Sequence, residues 1–285
     1  MKYLKKYKLF ENVNKKEIHD ICKKYDIVNY TINEDLTINV DGNVYLNSEG
    51  LTKLPVKFRN VNGNFYCNHN KLTSLEGAPT SVGEDFYCGY NQLTSLEGAP
   101  SSVGGDFYCN YNQLTSLEGA PSSVGGVFYC FNNNLTTLLD APSQVGGHFY
   151  CNNNQLTSLL GAPKSIGGGF YCHYNNLTSL LGAPKSIGGH FYCNHNKLTN
   201  LEGLEWKSFR SINLVNNPVH EIVKDWINNE DRIDLVEYFI DMNVIQESED
   251  KPKLIIPRLE AFYEEMELEM DINLEEVKKY YEIIK

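Results

Sequence analysis

Seven of the eight cysteines recur at one fixed interval of 21 residues, and thiols are natural candidates for metal or redox chemistry. They are Cys67, Cys88, Cys109, Cys130, Cys151, Cys172 and Cys193. Zinc sites usually contain cysteine pairs with C-x₂-C spacing, and the sequence has no such pair. The interval indicates a position in a repeat. We therefore expect these thiols to be reduced and buried between neighbouring coils, with no metal.

Two other groups of titratable residues could carry chemistry. Three imidazoles can bind zinc, but His173, His190 and His195 occupy different positions of the repeat, so we expect no metal site. A column of carboxylates recurs at Glu76, Glu97 and Glu118, and we interpret it as a solvated surface. No nucleophile with an adjacent base, phosphate-binding loop or catalytic carboxylate pair stands out from the repeat. We expect no enzymatic activity and no cofactor.

Tyrosine recurs at the same interval, and aromatic side chains are enriched where proteins bind one another. The positions are Tyr45, Tyr66, Tyr87, Tyr108, Tyr129, Tyr150, Tyr171 and Tyr192. Tyr90, Tyr111 and Tyr174 add further aromatic residues three positions later. A long exposed aromatic row is typical of a contact surface, although stacked tyrosines could also serve only to stabilise a sheet.

The elements that must position these side chains are the coils of one repeat. The segment Phe65–Asp85 reads FYCNHNKLTSLEGAPTSVGED, and six further copies begin at Phe86, Phe107, Phe128, Phe149, Phe170 and Phe191. Degenerate copies at Val44 and Ile212 bring the number of coils to nine. A period of this length is the signature of a solenoid, in which each coil buries its apolar face against its neighbours.

One copy shows what each position must do. Phe107 and Cys109 alternate inward along a short strand, which leaves Tyr108 on the outer face. Asn112 follows the strand, where a buried amide can satisfy backbone groups of two coils. Leu114 then closes the core, and glycine and proline residues supply the return turns.

These positions resemble the leucine-rich-repeat pattern L-x-L-x-x-N-x-L-x-x-L. The blocks N-x-L-T-S-L-x-G-A-P and V-G-G-x-F-Y-C are most similar to short repeat proteins of bacteria and to tandem-repeat proteins encoded by large tailed bacteriophages. The resemblance covers Val44 to Val219 and departs from the common pattern by placing Phe and Cys where leucine is usual. It implies an α/β-type repeat solenoid with short parallel strands, irregular return segments and helical caps at both ends, used for recognition.

The two ends differ from the repeat, and open solenoid ends require caps. We predict a helix and hairpin cap over residues 1–43, in which Asn14 and Glu17 form a capping box. The nine coils fill residues 44–219, and we interpret residues 220–285 as an acidic helical cap, with an independent acidic docking module as the alternative. Helices are expected at Pro218–Ile227, Asp231–Asp241, Leu254–Leu268 and Asn273–Ile284.

Charge and hydropathy limit the partners and the location. The net charge is −11, and its excess lies from His220 onward, where eight Lys and Arg face nineteen Asp and Glu. The solenoid offers no basic surface for phosphates, which disfavours nucleic acid. No stretch is apolar for long enough to span a membrane, and Met1–Phe10 lacks the apolar core of a signal peptide. We expect a cytoplasmic protein, in the host cell if it is phage-encoded.

The columns on either side of tyrosine vary more than the scaffold does, as expected of a surface adapted to a partner. The surface becomes apolar near Val127 and Phe131, which we predict as the contact centre. The predicted partner-binding residues are Tyr87, Tyr108, Tyr129, Tyr150, Tyr171, Val127, Phe131, Tyr111 and His148. The sequence thus favours a non-catalytic solenoid that binds a protein, such as a host or defence factor, through a concave tyrosine-rich face. A structural or adhesive component of a viral particle and a carbohydrate-binding module are the alternatives.

Overall fold

The computed structural model describes residues 14–204, 209–227 and 232–285, so the lysine-rich segment Met1–Phe10 lies outside the described residues. The chain forms stacked coils, and successive coils contribute strands to two parallel sheets. Equivalent residues 21 positions apart pair directly, as Phe107 pairs with Phe86 and Phe128. This in-register pairing is what a fixed repeat length requires of a solenoid.

The first sheet carries the tyrosines on its outer side and is called the tyrosine sheet. Its strands are Val44–Tyr45, Phe65–Tyr66, Phe86–Tyr87, Phe107–Tyr108, Phe128–Tyr129, Phe149–Tyr150, Phe170–Tyr171, Phe191–Tyr192 and Ile212–Asn213. In each Phe-Tyr strand the phenylalanine is buried and the tyrosine is partly exposed. The alternation predicted from the sequence is confirmed.

The second sheet, the return sheet, runs through the segments that we predicted to be irregular. Its parallel strands are Ile38–Val40, Phe58–Val61, Ser81–Val82, Ser102–Val103, Ser123–Val124, Gln144–Val145, Ser165–Ile166 and Ser186–Ile187. Glycine makes this pairing possible, because a Cβ added at Gly104 would lie 2.1 Å from the carbonyl oxygen of Gly83. The amide of Gly104 donates to the carbonyl of Val82 at 3.1 Å, which extends the ladder beyond each strand.

The core between the sheets consists of identical side chains stacked in columns. The Phe, Cys and two Leu positions of the central coils are all fully buried. The asparagine column ties the coils together as predicted. Asn112 donates to the carbonyls of Cys88 and Cys109 at 3.1 Å each, and its Oδ1 accepts from the amide of Leu93 at 3.0 Å. Each amide side chain therefore satisfies backbone groups that the turn would otherwise leave buried without partners.

At the N-terminal end, a helix at Lys15–Lys24 buries Ile18 and Cys22. Its capping box is confirmed, because Asn14 accepts from the amide of Glu17 at 3.1 Å and Glu17 accepts from the amide of Asn14 at 2.9 Å. The predicted hairpin is also present, and Tyr30–Ile32 pairs antiparallel with Ile38–Val40. Through this hairpin the N-terminal segment joins the edge of the return sheet.

The C-terminal part departs from the predicted helices. Its helices span His220–Val223, Arg232–Asp241, Ile256–Glu265 and Leu274–Val277, and its three-stranded sheet contains Ile245–Gln246, Lys253–Ile255 and Glu282–Ile284. The predicted helices at Leu254–Leu268 and Asn273–Ile284 were therefore too long. Pro257 explains one boundary, because it lies in the first turn of a helix and disfavours helical backbone just before it.

The C-terminal part packs on the last coils through buried side chains. The hydroxyl of Tyr281 donates to the carbonyl of Thr199 in the last coils at 2.7 Å. Within the C-terminal part itself, the hydroxyl of Tyr263 donates to the carbonyl of Ile222 at 2.9 Å. Trp226 and Phe262 are fully buried beneath these contacts. None of the helices in the described residues combines the length and apolar character needed to cross a bilayer.

Candidate functional site

The eight tyrosines of the tyrosine sheet form one continuous stack of rings, called the tyrosine stripe. Ring centroids of neighbouring coils lie 4.2–5.2 Å apart, and the ring planes are within 14° of parallel. Tyr45 at the first coil is 57% exposed, whereas the seven that follow are half-buried. Ring faces are therefore covered by neighbouring rings, and the stripe offers ring edges and hydroxyl groups to the outside.

Two of the hydroxyls are held by carboxylates. Tyr87 donates to Asp85 and Tyr108 donates to Asp106, each at 2.9 Å. Burial, with the hydrogen bond and charge of Asp106, raises the pKa of Tyr108 well above its ordinary value. Burial, with the hydrogen bond and charge of Asp85, likewise raises the pKa of Tyr87. These phenols remain neutral near pH 7, so they act as hydrogen-bonding groups rather than charges.

The column before the tyrosines has a scaffold role that the sequence analysis missed. Asp85 Oδ1 accepts from the amide of Asp106 at 2.7 Å, and Asp106 Oδ1 accepts from the amide of Val127 at 2.7 Å. His148 Nδ1 accepts from the amide of Gly169 at 2.7 Å in the same way. Several residue types can therefore occupy this column, because each can accept the hydrogen bond from the backbone amide of the next coil. Part of the variation in the column is explained by this role in coil stacking. Val127 cannot supply one, so the ladder of acceptors is interrupted beside Tyr129.

The column after the tyrosines is more buried than predicted. Asn110 and Asn152 are only 7% and 8% exposed, and Phe131 is half-buried. The cause is the backbone, because the next residue in each coil has a positive φ, such as 52° at Tyr111, and turns the chain over this column. The Oδ1 atoms of Asn68, Asn152 and Asn194 and the Nδ1 atom of His173 are buried without a hydrogen-bond partner.

The residues with positive φ form a second aromatic row beside the stripe. Its aromatic members are His69, Tyr90, Tyr111, Tyr174 and His195. The three tyrosines are 42–50% exposed. His69, Tyr90 and Tyr111 stack at 4.4 and 4.3 Å, and Tyr174 stacks on His195 at 4.2 Å. The histidines of this row could have been found in the sequence, because they lie 21 residues from its tyrosines.

The two rows meet at Phe131. Its ring lies edge-on to Tyr111, at 5.5 Å between centroids, and edge-on to Tyr129, at 6.2 Å. On the next coils, His148 contacts Tyr150 at 5.9 Å and Tyr171 at 5.7 Å. The predicted contact centre is thus spatially continuous, and we call this surface, from Tyr87 to Tyr171 with the adjacent row, the tyrosine face. Val127 lies half-buried at its edge.

In the columns that flank the stripe, carboxylates and imidazoles lie on different coils. Asp85 and Asp106 lie on the early coils, and His148, His173 and His190 lie on the late ones. Burial, with a smaller contribution from His195, lowers the pKa of His173 below its ordinary value of 6.5. The apolar centre lies between a carboxylate side and an imidazole side.

The groups considered for metal or thiol chemistry are separated or buried. His190 bonds to Ser211 and His195 bonds to Asn216, so each imidazole has its own partner. Within the described residues, no three His, Cys, Asp or Glu side chains are placed together to hold a metal ion. All eight cysteines are free and buried, and burial raises the pKa of the Cys109 thiol, which disfavours the reactive thiolate.

Comparisons with known proteins give no match in sequence and a distant similarity in structure. No family model matches the sequence, and no curated protein matches it. Among solved structures, YopM from Yersinia enterocolitica WA-314 is similar over 76% of this chain and 55% of that chain, with 16% identity and a TM-score of 0.43. The matched region thus spans about half of that protein's length. By its repeat pattern, its in-register strands and its asparagine column, the chain has the fold of a leucine-rich-repeat solenoid.

Proposed function

We propose that this chain is a non-catalytic protein-binding solenoid whose partner contacts the tyrosine face. The observation that carries the proposal is the junction at Phe131, where the stripe and the second aromatic row form one aromatic surface. Solenoids of this type commonly bind other proteins along an extended surface built from successive coils. The contact centre in this proposal lies at Tyr108, Tyr129 and Tyr150.

The chemistry of the surface supports a protein partner. Protein interfaces are enriched in tyrosine and tend to have an apolar centre within a polar rim. Here the apolar centre at Val127 and Phe131 lies between Asp106 and His148, which supply polar groups at its margin. The half-buried rings are already held by their neighbours, so binding would order few side chains further and would cost little entropy.

The proposal includes a biological setting and an organisation of the chain. The similarity of the repeat blocks to phage-encoded proteins supports a phage protein that acts in the host cytoplasm on a host or defence factor. Residues 1–43 and 220–285 would serve as caps for the solenoid of residues 44–219. The contact of the buried Tyr281 with Thr199 supports a capping role for the C-terminal segment.

The two alternatives receive less support. Sugar-binding aromatic residues commonly offer a ring face, and the ring faces of the stripe are covered by one another. A glycan array would test carbohydrate binding directly. For a structural or adhesive role in a viral particle, mass spectrometry of purified particles is decisive, since a particle component must be present in them.

The experiment that tests the proposal uses substitutions that the repeat itself provides. Tyr111→Asn and Phe131→Asn introduce the residue found in other coils at the same positions, at Asn132 and Asn110, so the coil should remain folded. Ser122→Lys and Ser143→Lys are the control, because Lys164 and Lys185 hold these positions on the return side.

The wild-type chain and both double variants would be immobilised and exposed to bacterial lysate, and captured proteins would be identified by mass spectrometry. We expect a protein that the wild-type and control chains retain and the Tyr111→Asn/Phe131→Asn chain loses. For that partner, loss of an aromatic hot spot should cost about 2 kcal/mol or more, or roughly 30-fold in affinity. A partner held equally by all three chains would place the binding surface elsewhere.

A further inference from the structure

A second exposed column lies in the turn that leads from the tyrosine sheet towards the return sheet. Its first three members are Glu76, Glu97 and Glu118, and its next three are Leu139, Leu160 and Leu181. The leucines are 56%, 57% and 48% exposed. Glu202 follows in the next coil. We call this surface the leucine–glutamate column.

The members of the column share one local geometry. The amides of Glu118, Leu139 and Leu181 donate to the Ser or Thr hydroxyl two residues earlier, at 3.5, 3.2 and 3.0 Å. Hydrogen bonds between coils hold the turns in register, because Leu96 donates to the carbonyl of Glu118 and Leu159 donates to that of Leu181. The side chains therefore follow one another at the coil spacing of about 4.8 Å.

Three adjacent exposed leucines are a feature of contact surfaces, since isolated soluble chains rarely expose contiguous apolar area. A second copy of this chain does not suit the column. A two-fold axis through Leu160 would place Leu139 against Leu181 of the other copy, but it would also oppose Glu118 and Glu202. Opposed like charges disfavour that pairing.

The spacing of the leucines matches the pitch of an α-helix. Three leucines across two coil steps span roughly 10 Å. Helix residues i, i+4 and i+7 span about 10.5 Å along the axis, whereas strand residues i, i+2 and i+4 span about 13 Å. A helix aligned with the column can therefore place one side chain on each leucine. The side chains of a strand are spaced too widely to meet all three leucines.

The charges determine how such a helix would lie. The three glutamates continue the line of the leucines, so the next helical turns would meet carboxylates. Lys164 and Lys185 follow Leu160 and Leu181 by four residues and are exposed, which puts positive charge beside the leucine end. Basic residues of the helix are thus favoured at the glutamate end and disfavoured at the leucine end.

We propose that the leucine–glutamate column binds an amphipathic helix of a partner protein. Three apolar residues of that helix would cover Leu139, Leu160 and Leu181, and basic residues about one to three turns beyond the last of them would pair with the glutamates. This site is separate from the tyrosine face, and it stands or falls independently of the function proposed for that face.

A synthetic helical peptide can test the proposal. The probe carries leucine at its first, fifth and eighth positions and lysine at its twelfth, sixteenth and nineteenth positions, on an alanine and glutamine background. Binding to the full chain would be measured by fluorescence anisotropy. The triple variant Leu139→Glu, Leu160→Glu and Leu181→Glu gives the late coils the residue of the early coils and so preserves the fold. We expect it to bind the probe at least about tenfold more weakly.

Two comparisons make the test specific. The variant Glu76→Gln, Glu97→Gln and Glu118→Gln should weaken binding and reduce its dependence on salt, because it removes the opposing charges. The variant Tyr111→Asn/Phe131→Asn should bind the probe as the wild-type chain does.

Four outcomes would overturn the proposal. They are no binding to the wild-type chain at about 1 mM probe, equal binding by the leucine variant, and equal binding of a peptide with the same residues in an alternating strand pattern. The fourth is self-association of the wild-type chain, seen in sedimentation velocity, that the leucine variant abolishes. That result would assign the column to a second copy.

Discussion

At the scale of single residues, a repeat allows each side chain to be compared with its equivalents in other coils. Asp140 stands where the surrounding coils have glycine, at Gly98, Gly119, Gly161 and Gly182. Those glycines have φ near 85–89°, whereas Asp140 has φ 65°. A Cβ at Gly119 would lie 2.5 Å from the carbonyl carbon of Leu96, so a side chain is poorly accommodated at this position.

We predict that Asp140→Gly stabilises the protein by up to about 1 kcal/mol. The left-handed backbone costs a non-glycine residue roughly 1–2 kcal/mol, and the extra flexibility of glycine in the unfolded chain offsets part of the gain. The free energy of unfolding would be measured by urea denaturation. Gly119→Asp, the reverse change one coil earlier, should be destabilising. A loss of stability in Asp140→Gly would show that the aspartate makes a compensating contact.

The pH dependence of stability provides a second prediction at this scale. Burial lowers the pKa of His173, so the folded chain favours the neutral imidazole while the unfolded chain takes up protons near pH 6.5. The stabilising contribution of the neutral form is complete above pH 6.5 and decreases as the pH falls through 6.5 towards the lowered value.

His173→Asn removes this titration and introduces the residue found at Asn152 and Asn194. We expect the thermal midpoint of the variant to fall less than that of the wild-type chain between about pH 7.5 and about pH 5. The two chains differ at this residue alone, so the comparison isolates His173. If the thermal midpoints of the two chains changed equally with pH, folding would not disfavour protonation of the His173 imidazole.

At the scale of elements, the tyrosine stripe contributes to stability as well as to the candidate binding surface. Tyr129 stacks on two neighbours, at 4.3 and 5.0 Å, whereas Tyr45 at the end of the stripe stacks only on Tyr66. Each aromatic contact is worth about 0.5–1.5 kcal/mol beyond the area buried. The stripe is therefore a ladder of cross-strand pairs that runs the length of the tyrosine sheet.

We predict that Tyr129→Ala costs about two to three times the unfolding free energy of Tyr45→Ala, because it removes two stacked ring contacts and the edge contact with Phe131 rather than one stacked contact. Chemical denaturation of both variants gives the ratio of the two losses of unfolding free energy. The comparison requires that the slope of the unfolding free energy against denaturant concentration is the same in both variants and in the wild-type chain. Equal costs would indicate that the rings act separately and that their stacking adds little.

Elements with a clear residue pattern were predictable from the sequence, both in the repeat and in the capping box and hairpin of the N-terminal segment. Elements without such a pattern were not. The coil length, the inward Phe107 and Cys109 and the buried Asn112 follow from spacing and residue type. The strand Ser102–Val103 was missed because two residues, followed by a glycine pair, are too few to show an alternating pattern. At Lys253–Ile255, pairing with two neighbouring strands overrides a sequence that reads as helix.

The candidate site was predictable in outline for the same reason. The tyrosine column was placed correctly, but both flanking columns were expected on the outer surface. Backbone hydrogen bonds to Asp85 and Asp106, and the turn at Tyr111 that covers Asn110, depend on how neighbouring coils meet. Residue type and spacing do not contain that information.

At the scale of the whole molecule, the coils should be interchangeable units, because each one bonds mainly to its two neighbours. We predict that deletion of residues 107–127, which joins Asp106 to Phe128 and removes one full period, leaves a folded and shorter solenoid. Its circular dichroism per residue should match that of the full chain, with a modest loss of thermal stability.

A deletion out of period provides the control. Removal of residues 107–116 takes out less than one coil and places Phe and Leu positions out of register with their neighbours. That chain should fail to fold cooperatively. If both deletions were tolerated equally, or if neither were, stability would not be set by contacts between equivalent residues of adjacent coils.

The stacked phenol rings of the tyrosine stripe also have an optical consequence. Absorbing groups held parallel at 4.2–5.2 Å couple electronically, so their near-ultraviolet circular dichroism belongs to the array and not to single rings. The chain has nineteen tyrosines and two tryptophans, and one of these, Trp226, is buried in the C-terminal part beyond the last tyrosine of the stripe. Energy absorbed along the stripe can pass from ring to ring towards that end. The near-ultraviolet circular dichroism of the stripe therefore shows, without an added label, whether the coils are stacked without interruption.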